Sequence, residues 1–221
     1  MTTTLIACDK FKGSLTAAEV CAAVEAGIRS ASPETEVISI PIADGGDGTA
    51  AAAVMGRLSA SVRALARLDL EPQEILAQLE EALEDLAEPM LATLLYIVVD
   101  PATGHCRITR AGHPPPALVT PDGEVQLLQV PPGTPLGVGG TRYITTDRTL
   151  EPGSVLVLYT DGLIESRTSD IDERLAELTN TLAEPSPSLD AMCDSLLARL
   201  VPASADDDIA LLIARTAHAK A

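Results

Sequence analysis

Two acidic segments lie next to apolar runs and could bind a divalent cation. Asp161 follows the apolar run 155–159, and three consecutive aspartates at 206–208 precede the apolar run 209–213. Adjacent carboxylates repel one another unless they are solvated or share a cation. If the two runs form neighbouring strands, Asp161 and Asp207 could bind one hard cation that activates a water for attack on a phosphoryl group. A turn after Asp161 and a solvated acidic loop are the alternative interpretation.

A glycine-rich segment near the amino terminus could bind an anion. Gly45, Gly46 and Gly48 could bring backbone N–H groups close to a phosphate, and Lys12 could supply a positive charge. A simple connection between a strand and a helix is the alternative interpretation of the glycines.

The remaining candidates for chemistry are histidines and cysteines. His113 lies among prolines, where a structural hydrogen bond is favoured over proton transfer, and His105 lies in a predicted hairpin turn. No Gly-x-Ser-x-Gly elbow occurs. The four cysteines are far apart and form no CxxC pair, which predicts buried free thiols rather than a zinc site or a disulfide framework.

Composition narrows the functional classes. The 221 residues include 32 Asp and Glu against 15 Lys and Arg, a net charge of −17, and only one Phe, three Tyr and no Trp. An acidic chain with few aromatic side chains is not expected to bind nucleic acid or an anionic membrane. We find no signal-peptide pattern and no apolar run long enough to cross a bilayer, which predicts a soluble, cytoplasmic protein.

These candidates must be positioned by an α+β arrangement of elements. The chain begins strand–helix–strand, which favours a right-handed parallel crossover, and continues with helices, many short strands, two helices and a final strand. Strands are predicted at 3–8, 36–42, 94–99, 106–110, 117–120, 125–130, 143–149, 155–160 and 209–215, and helices at about 16–32, 49–68, 72–87, 171–182 and 189–200.

From about residue 49 onward the sequence resembles the PPM-type (PP2C-like) serine/threonine phosphatases of the sporulation stage II protein E group. The resemblance rests on six segments in family order: 50–58, Leu91-Ala-Thr-Leu-Leu-Tyr96, Arg110-Ala-Gly-His-Pro-Pro-Pro116, Gly133-Thr-Pro-Leu-Gly-Val138, 156–165 and 206–212. It implies a truncated PP2C-like α/β/β/α sandwich with a strand–helix–strand segment at its amino terminus. It also implies a binuclear Mg²⁺ or Mn²⁺ site, in which Asp161 and either Asp207 or Asp208 are metal ligands, with Gly162 and His113 as structural motif residues.

The implied activity is hydrolysis of phosphoserine or phosphothreonine, with a phosphorylated anti-sigma-factor antagonist as partner. The family's first metal-binding segment is absent here. The aspartate of its second segment aligns with Ala43, and Asp44 lies one residue out of register. An impaired metal site is therefore expected.

Residues 1–49 resemble the amino terminus of bacterial glycerate kinases, in Ala7-Cys-Asp-Lys-Phe-Lys-Gly-Ser14 and Ile40-Pro-Ile-Ala-Asp-Gly-Gly-Asp-Gly-Thr49. We therefore predict a chimera with a kinase-like fragment at 1–48, a phosphatase domain at 49–215 and a tail at 216–221. The alternatives to a phosphatase are a glycerate kinase-related chimera without phosphatase activity and a non-catalytic module that binds a phosphoprotein.

Overall fold

The computed structural model describes most of the chain from residue 58 onward and two strands before it. The described residues are 3–8, 36–42, 58, 60–62, 64–68, 70–84, 91–100, 102–140, 142–165, 170–201 and 209–216. They form nine strands: β1 (Thr3–Cys8), β2 (Glu36–Ile42), β3 (Leu94–Val99), β4 (His105–Ala111), β5 (Ala117–Val119), β6 (Val125–Leu127), β7 (Thr146–Thr149), β8 (Val155–Tyr159) and β9 (Ile209–Arg215). The helices with defined bounds are α1 (Pro72–Glu84), α2 (Ile171–Leu182) and α3 (Leu189–Leu200).

The strands form two antiparallel sheets. The first sheet has the order β1-β3-β4-β7 and the second has the order β2-β9-β8-β5-β6. Leu95, Ile97 and Cys106 of the first sheet pack against Leu156 and Leu158 of the second. This layer of apolar side chains is the core between the sheets.

Helices cover the outer faces of both sheets. Because successive side chains of a strand point to opposite faces, Leu94, Tyr96 and Val98 contact the layer that contains α1. On the other side, α2 and α3 pack on Val157 and Ile213 of the second sheet. The architecture is therefore the predicted α+β sandwich, with layers in the order α/β/β/α.

The predicted parallel crossover between the first two strands is wrong. β1 pairs antiparallel with β3 at the edge of the first sheet, whereas β2 pairs antiparallel with β9 at the edge of the second. The handedness rule applies to two parallel strands of one sheet. Because β1 and β2 belong to different sheets, it does not apply to them.

The predicted helix at 16–32 lies outside the described residues. The other predicted elements that the structure describes agree with the sequence in place, and several differ from it at their ends. β3, α2, α3 and β9 have the predicted bounds. The predicted helix at 49–68 is seen in part, since residues 58, 60–62 and 64–65 are helical and the rest, apart from 66–68, lies outside the described residues. β6 ends at Leu127, three residues before the predicted end, and Leu128 and Val130 belong to the core between the sheets.

Within the described residues, no helix is long and apolar enough to cross a membrane.

Candidate functional site

Asp161, the described member of the predicted acidic site, lies at one end of the sandwich. Here β4 and β8 finish and β5 and β9 begin, because Ala117 of β5 faces Val157 of β8 and Leu211 of β9 faces Tyr159. Residues 112–116 connect β4 of the first sheet to β5 of the second. We call this end of the sandwich, with the loop 112–116 and the turn after β8, the Asp161 end.

Asp161 opens a short 3-10 turn, Asp161–Leu163, directly after β8. The backbone N–H of Thr160 donates to the Ala210 carbonyl (3.0 Å), and the Ala210 N–H donates to the Thr160 hydroxyl (2.8 Å). The Asp161 carbonyl accepts from the N–H groups of Ile164 (2.8 Å) and Glu165 (2.7 Å). These bonds fix the place where the strand ends and the turn begins, with Gly162 buried in the turn.

The carboxylate of Asp161 is available to a ligand. The side chain is partly exposed, and its Oδ1 atom is buried without a hydrogen-bond partner among the described residues. Buried polar atoms in native proteins are nearly always paired, so an unpaired carboxylate oxygen is a place where a water or a cation fits. No group of three His, Cys, Asp or Glu side chains that could hold a metal occurs within the described ranges.

The remaining predicted ligands cannot be placed. Asp44, Asp207 and Asp208 lie outside the described residues, as do Lys12 and the glycines Gly45, Gly46 and Gly48. Of the predicted metal ligands, the structure therefore locates Asp161 alone.

His113 is a buried member of the same end of the sandwich. Its side chain is 1% exposed, and its Nδ1 lies 3.0 Å from the Pro114 carbonyl oxygen. Burial lowers the pKa of His113 to about 4, and Arg110 adds to this effect, while the Pro114 carbonyl and Asp161 oppose it. The imidazole is therefore neutral at pH 7, which agrees with a hydrogen-bonding role rather than a proton-transfer role at that pH.

Three residues that sequence reasoning did not select hold this end together. Arg110 donates to the carbonyls of Val130 and His113, both at 2.9 Å, and so links the two loops that follow β4 and β6. The Tyr159 hydroxyl donates to the Pro115 carbonyl at 2.7 Å. Arg174 of α2 donates to the Leu163 carbonyl at 3.2 Å.

The signals for these three residues were weak. Arg110 lies two and four residues after the core residues Ile108 and Cys106 in β4. Alternate residues of a strand share a face, so Arg110 lies on the face between the sheets. Tyr159 lies within the segment 156–165 that carries the family resemblance, whereas Arg174 lies in none of the six segments. Their role comes from carbonyl groups that are distant in sequence.

A close approach of two loops explains the glycine before His113. Gly112 has φ +67°, and a Cβ atom there would lie 2.6 Å from the Pro135 side chain. Its N–H donates to the Pro132 carbonyl at 2.8 Å. The segments 110–116 and 133–138, which both carry the family resemblance, are therefore packed directly against each other.

Solved structures share this fold. The PP2C phosphatase domain of the cell fate determinant SpoIIE from Bacillus subtilis, with a fragment of its regulatory domain, superposes with a TM-score of 0.65 at 15% identity, covering 99% of this chain and 64% of that one. The RsbU and RsbW domains of a Mycobacterium tuberculosis protein superpose with a TM-score of 0.68 at 28% identity, covering 83% of this chain and 51% of that one. The sandwich is therefore that of a PPM-type (PP2C-like) phosphatase domain.

A family model identifies the group more narrowly. The model described as Stage II sporulation protein E (SpoIIE) matches residues 35–217. The chain therefore belongs to the SpoIIE family. The match begins ahead of β2, so it includes a strand that the sequence resemblance assigned to the kinase-like segment.

The kinase resemblance is also found, over a short stretch. Glycerate 2-kinase of Escherichia coli is 46% identical over 50 residues, which are 23% of this chain and 13% of the kinase. The chain thus spans about an eighth of that relative and about half of the matched mycobacterial structure.

Proposed function

We propose that this protein is a metal-dependent serine/threonine phosphoprotein phosphatase. The observation that carries the proposal is the Asp161 carboxylate, which follows a buried strand of a SpoIIE-family sandwich and has a buried oxygen without a hydrogen-bond partner among the described residues. Of the functions weighed from the sequence, phosphoryl hydrolysis best explains an unpaired carboxylate at this place.

Asp161 and an aspartate ahead of β9 would hold the cation. β9 begins beside the Asp161 end, where Thr160 and Ala210 exchange hydrogen bonds. Asp208 immediately precedes Ile209 in the sequence, and consecutive Cα atoms are about 3.8 Å apart. This closeness to the start of β9 supports Asp208 or Asp207 as a second ligand. Mg²⁺ and Mn²⁺ prefer such oxygen ligands and supply Lewis-acid activation of water and of the phosphoryl group.

The amino-terminal segment would contribute a further carboxylate to the site. β2 ends at Ile42, which pairs with Ile209 at the start of β9, and Asp44 follows two residues later in the sequence. This connectivity supports Asp44 as a further ligand. The roles of Lys12, Gly45, Gly46 and Gly48 in binding phosphate, and the division of the chain at residues 48 and 215, stay predictions.

We expect the substrate to be a regulatory phosphoprotein, such as a phosphorylated anti-sigma-factor antagonist. The matched SpoIIE structure is described as a cell fate determinant with a regulatory domain, which supports a signalling role. The net charge of −17 disfavours nucleic acid as a partner. A cytoplasmic location stays a prediction.

The test is phosphate release from a phosphoserine peptide by the full chain. We expect turnover that requires Mn²⁺ and disappears with chelator, and Asp161→Asn should lower it by about 100-fold or more, since loss of a cation's contribution removes several kcal/mol of transition-state stabilisation. The matched control is Asp190→Asn, an exposed carboxylate in the first turn of α3 that should leave turnover unchanged.

Other results would select other functions. Turnover that is indifferent to Asp161→Asn or to chelator would contradict the proposal. Calorimetric binding of a phosphorylated antagonist without phosphate release would identify a binding module. ATP turnover that rises with glycerate would identify the kinase alternative.

A further inference from the structure

Two buried polar atoms at the Asp161 end lack partners. Among the described residues, three buried side-chain nitrogen or oxygen atoms have no hydrogen bond, and two of these are His113 Nε2 and Asp161 Oδ1. Such atoms are rare in native proteins, and each calls for a bound water, an ion or a functional reason. The Tyr159 hydroxyl, two residues before Asp161, donates to the carbonyl of Pro115, two residues after His113, at 2.7 Å, so both side chains belong to the same end of the sandwich.

The hydrogen bond on the other side of the ring determines which nitrogen of His113 carries the proton. Nδ1 lies 3.0 Å from the Pro114 carbonyl oxygen, and a carbonyl can only accept. Nδ1 is therefore the protonated nitrogen of the neutral ring. Nε2 keeps its lone pair and is a hydrogen-bond acceptor.

The two unpaired atoms are thus both acceptors. An imidazole lone pair and a carboxylate oxygen cannot bond each other, so a donor from elsewhere is needed at both atoms. The Tyr159–Pro115 hydrogen bond holds the His113 loop against the end of β8. A water molecule has two hydrogens to donate, and buried waters typically bridge polar groups that are otherwise unsatisfied.

We propose that His113 is a positioning residue for Asp161, acting through a buried water that donates one hydrogen to Nε2 and the other to Oδ1. This inference rests on the proposed function, because the oriented carboxylate is the one assigned to the cation. An ionised carboxylate has about four lone-pair sites, so Asp161 can accept from this water and still bind a metal. Groups that hydrogen-bond to metal ligands fix their orientation and raise metal affinity.

Two substitutions separate this role from a merely structural one. His113→Asn keeps a donor near the Nδ1 position, for the Pro114 carbonyl, but has no acceptor at the Nε2 position. His113→Gln places an amide oxygen near the Nε2 position and loses the donor to Pro114. The binding of Mn²⁺ to the full chain, followed by the electron paramagnetic resonance signal of free Mn²⁺, is the readout.

We expect His113→Asn to weaken Mn²⁺ binding by about 10-fold or more and His113→Gln to recover most of the affinity. His105→Asn, which removes an exposed histidine paired with Asp147 at 3.1 Å, should bind like the wild type. Equal affinities for the Asn and Gln variants, whether unchanged or reduced, would overturn the inference. Wild-type protein that does not bind Mn²⁺ would instead contradict the proposed function.

A second measurement needs neither a variant nor a metal. In ¹⁵N-labelled wild-type protein, long-range ¹H–¹⁵N correlations should show His113 with a protonated Nδ1 and a bare Nε2, and cross-peaks should reveal a long-lived water at the ring. A protonated Nε2, or the absence of that water, would overturn the inference even if both variants failed to fold.

Discussion

At the scale of one residue, the carboxylate of Asp161 carries a cost in stability. A buried acceptor without a partner costs about 1–3 kcal/mol in the folded state. The strand, the turn and the bonds between Thr160 and Ala210 hold the carboxylate in place despite that cost. A cation or a bridging water would remove the penalty, because either one satisfies the unpaired oxygen.

Position 43 lies ahead of the predicted junction at residues 48 and 49 and is relevant to the same candidate metal site. The resemblance aligns Ala43 with a metal-binding aspartate, and Asp44 is one residue out of register. We predict that Ala43→Asp lowers the Mn²⁺ concentration needed for half-maximal phosphatase activity by about 10-fold, since each added carboxylate ligand strengthens cation binding. A Mn²⁺ titration of the activity measures this.

The control for position 43 is Ala43→Asn, which has a similar shape without the charge. Ala43→Asn should lower the Mn²⁺ concentration needed for half-maximal activity much less than Ala43→Asp does. A titration curve that does not move with Ala43→Asp would mean that the segment needs no carboxylate there.

At the scale of elements, the buried side chain of Glu80 joins α1 to the loop that follows β6 through hydrogen bonds. Glu80 is 7% exposed and accepts from the N–H groups of Gly137 (3.0 Å) and Gly139 (2.6 Å) and from the Tyr143 hydroxyl (2.7 Å). The apolar face of α1, which includes Ile75 and Leu79, packs on the first sheet. Glu80 therefore adds a polar attachment to a helix that is otherwise held by apolar contacts.

We predict that Glu80→Gln lowers the free energy of unfolding by about 1–3 kcal/mol. An amide has one oxygen instead of two, and its NH₂ group would face donors that it cannot satisfy. Urea unfolding measures the change. The matched control is Glu81→Gln, because Glu81 is the next residue and is exposed, and this change should leave the free energy of unfolding nearly unchanged. Similar losses of stability for both variants would show that the Glu80 contacts add little.

At the scale of the whole molecule, the first 48 residues, which we predict to be kinase-like, supply one edge strand to each sheet. β1 covers the edge of β3 and β2 covers the edge of β9. Exposed strand edges have unpaired N–H and C=O groups that can pair with other chains. The segment is thus joined to both halves of the sandwich through backbone pairing.

We predict that a chain of residues 49–221 is less stable than the whole protein and self-associates. Without β1 and β2, one edge of each sheet is uncovered. Size-exclusion chromatography and urea unfolding measure this. A chain shortened after Thr216 at the other end is the control and should behave like the whole protein. A monomeric 49–221 chain with an unchanged urea midpoint would contradict the pairing of β1 and β2 with the sheets.

Local signals in the sequence determined most of the described elements and the position of one candidate site residue. Alternation, helical period and capping residues are properties of neighbouring residues, so α2, α3, β3 and β9 could be bounded before any contact was known. The motif around Asp161 could likewise be identified as an acid at the end of a buried strand.

Only the tertiary structure decided which strands are neighbours and which polar groups meet. β1 and β2 are close in sequence, yet their partners are β3 and β9, so the sheet that each strand joins depends on distant residues. Glu80 lies 57 residues from Gly137, and Tyr159 lies 44 residues from Pro115. Hydrogen bonds over such separations leave no periodic pattern in the sequence, because they form only after the layers pack.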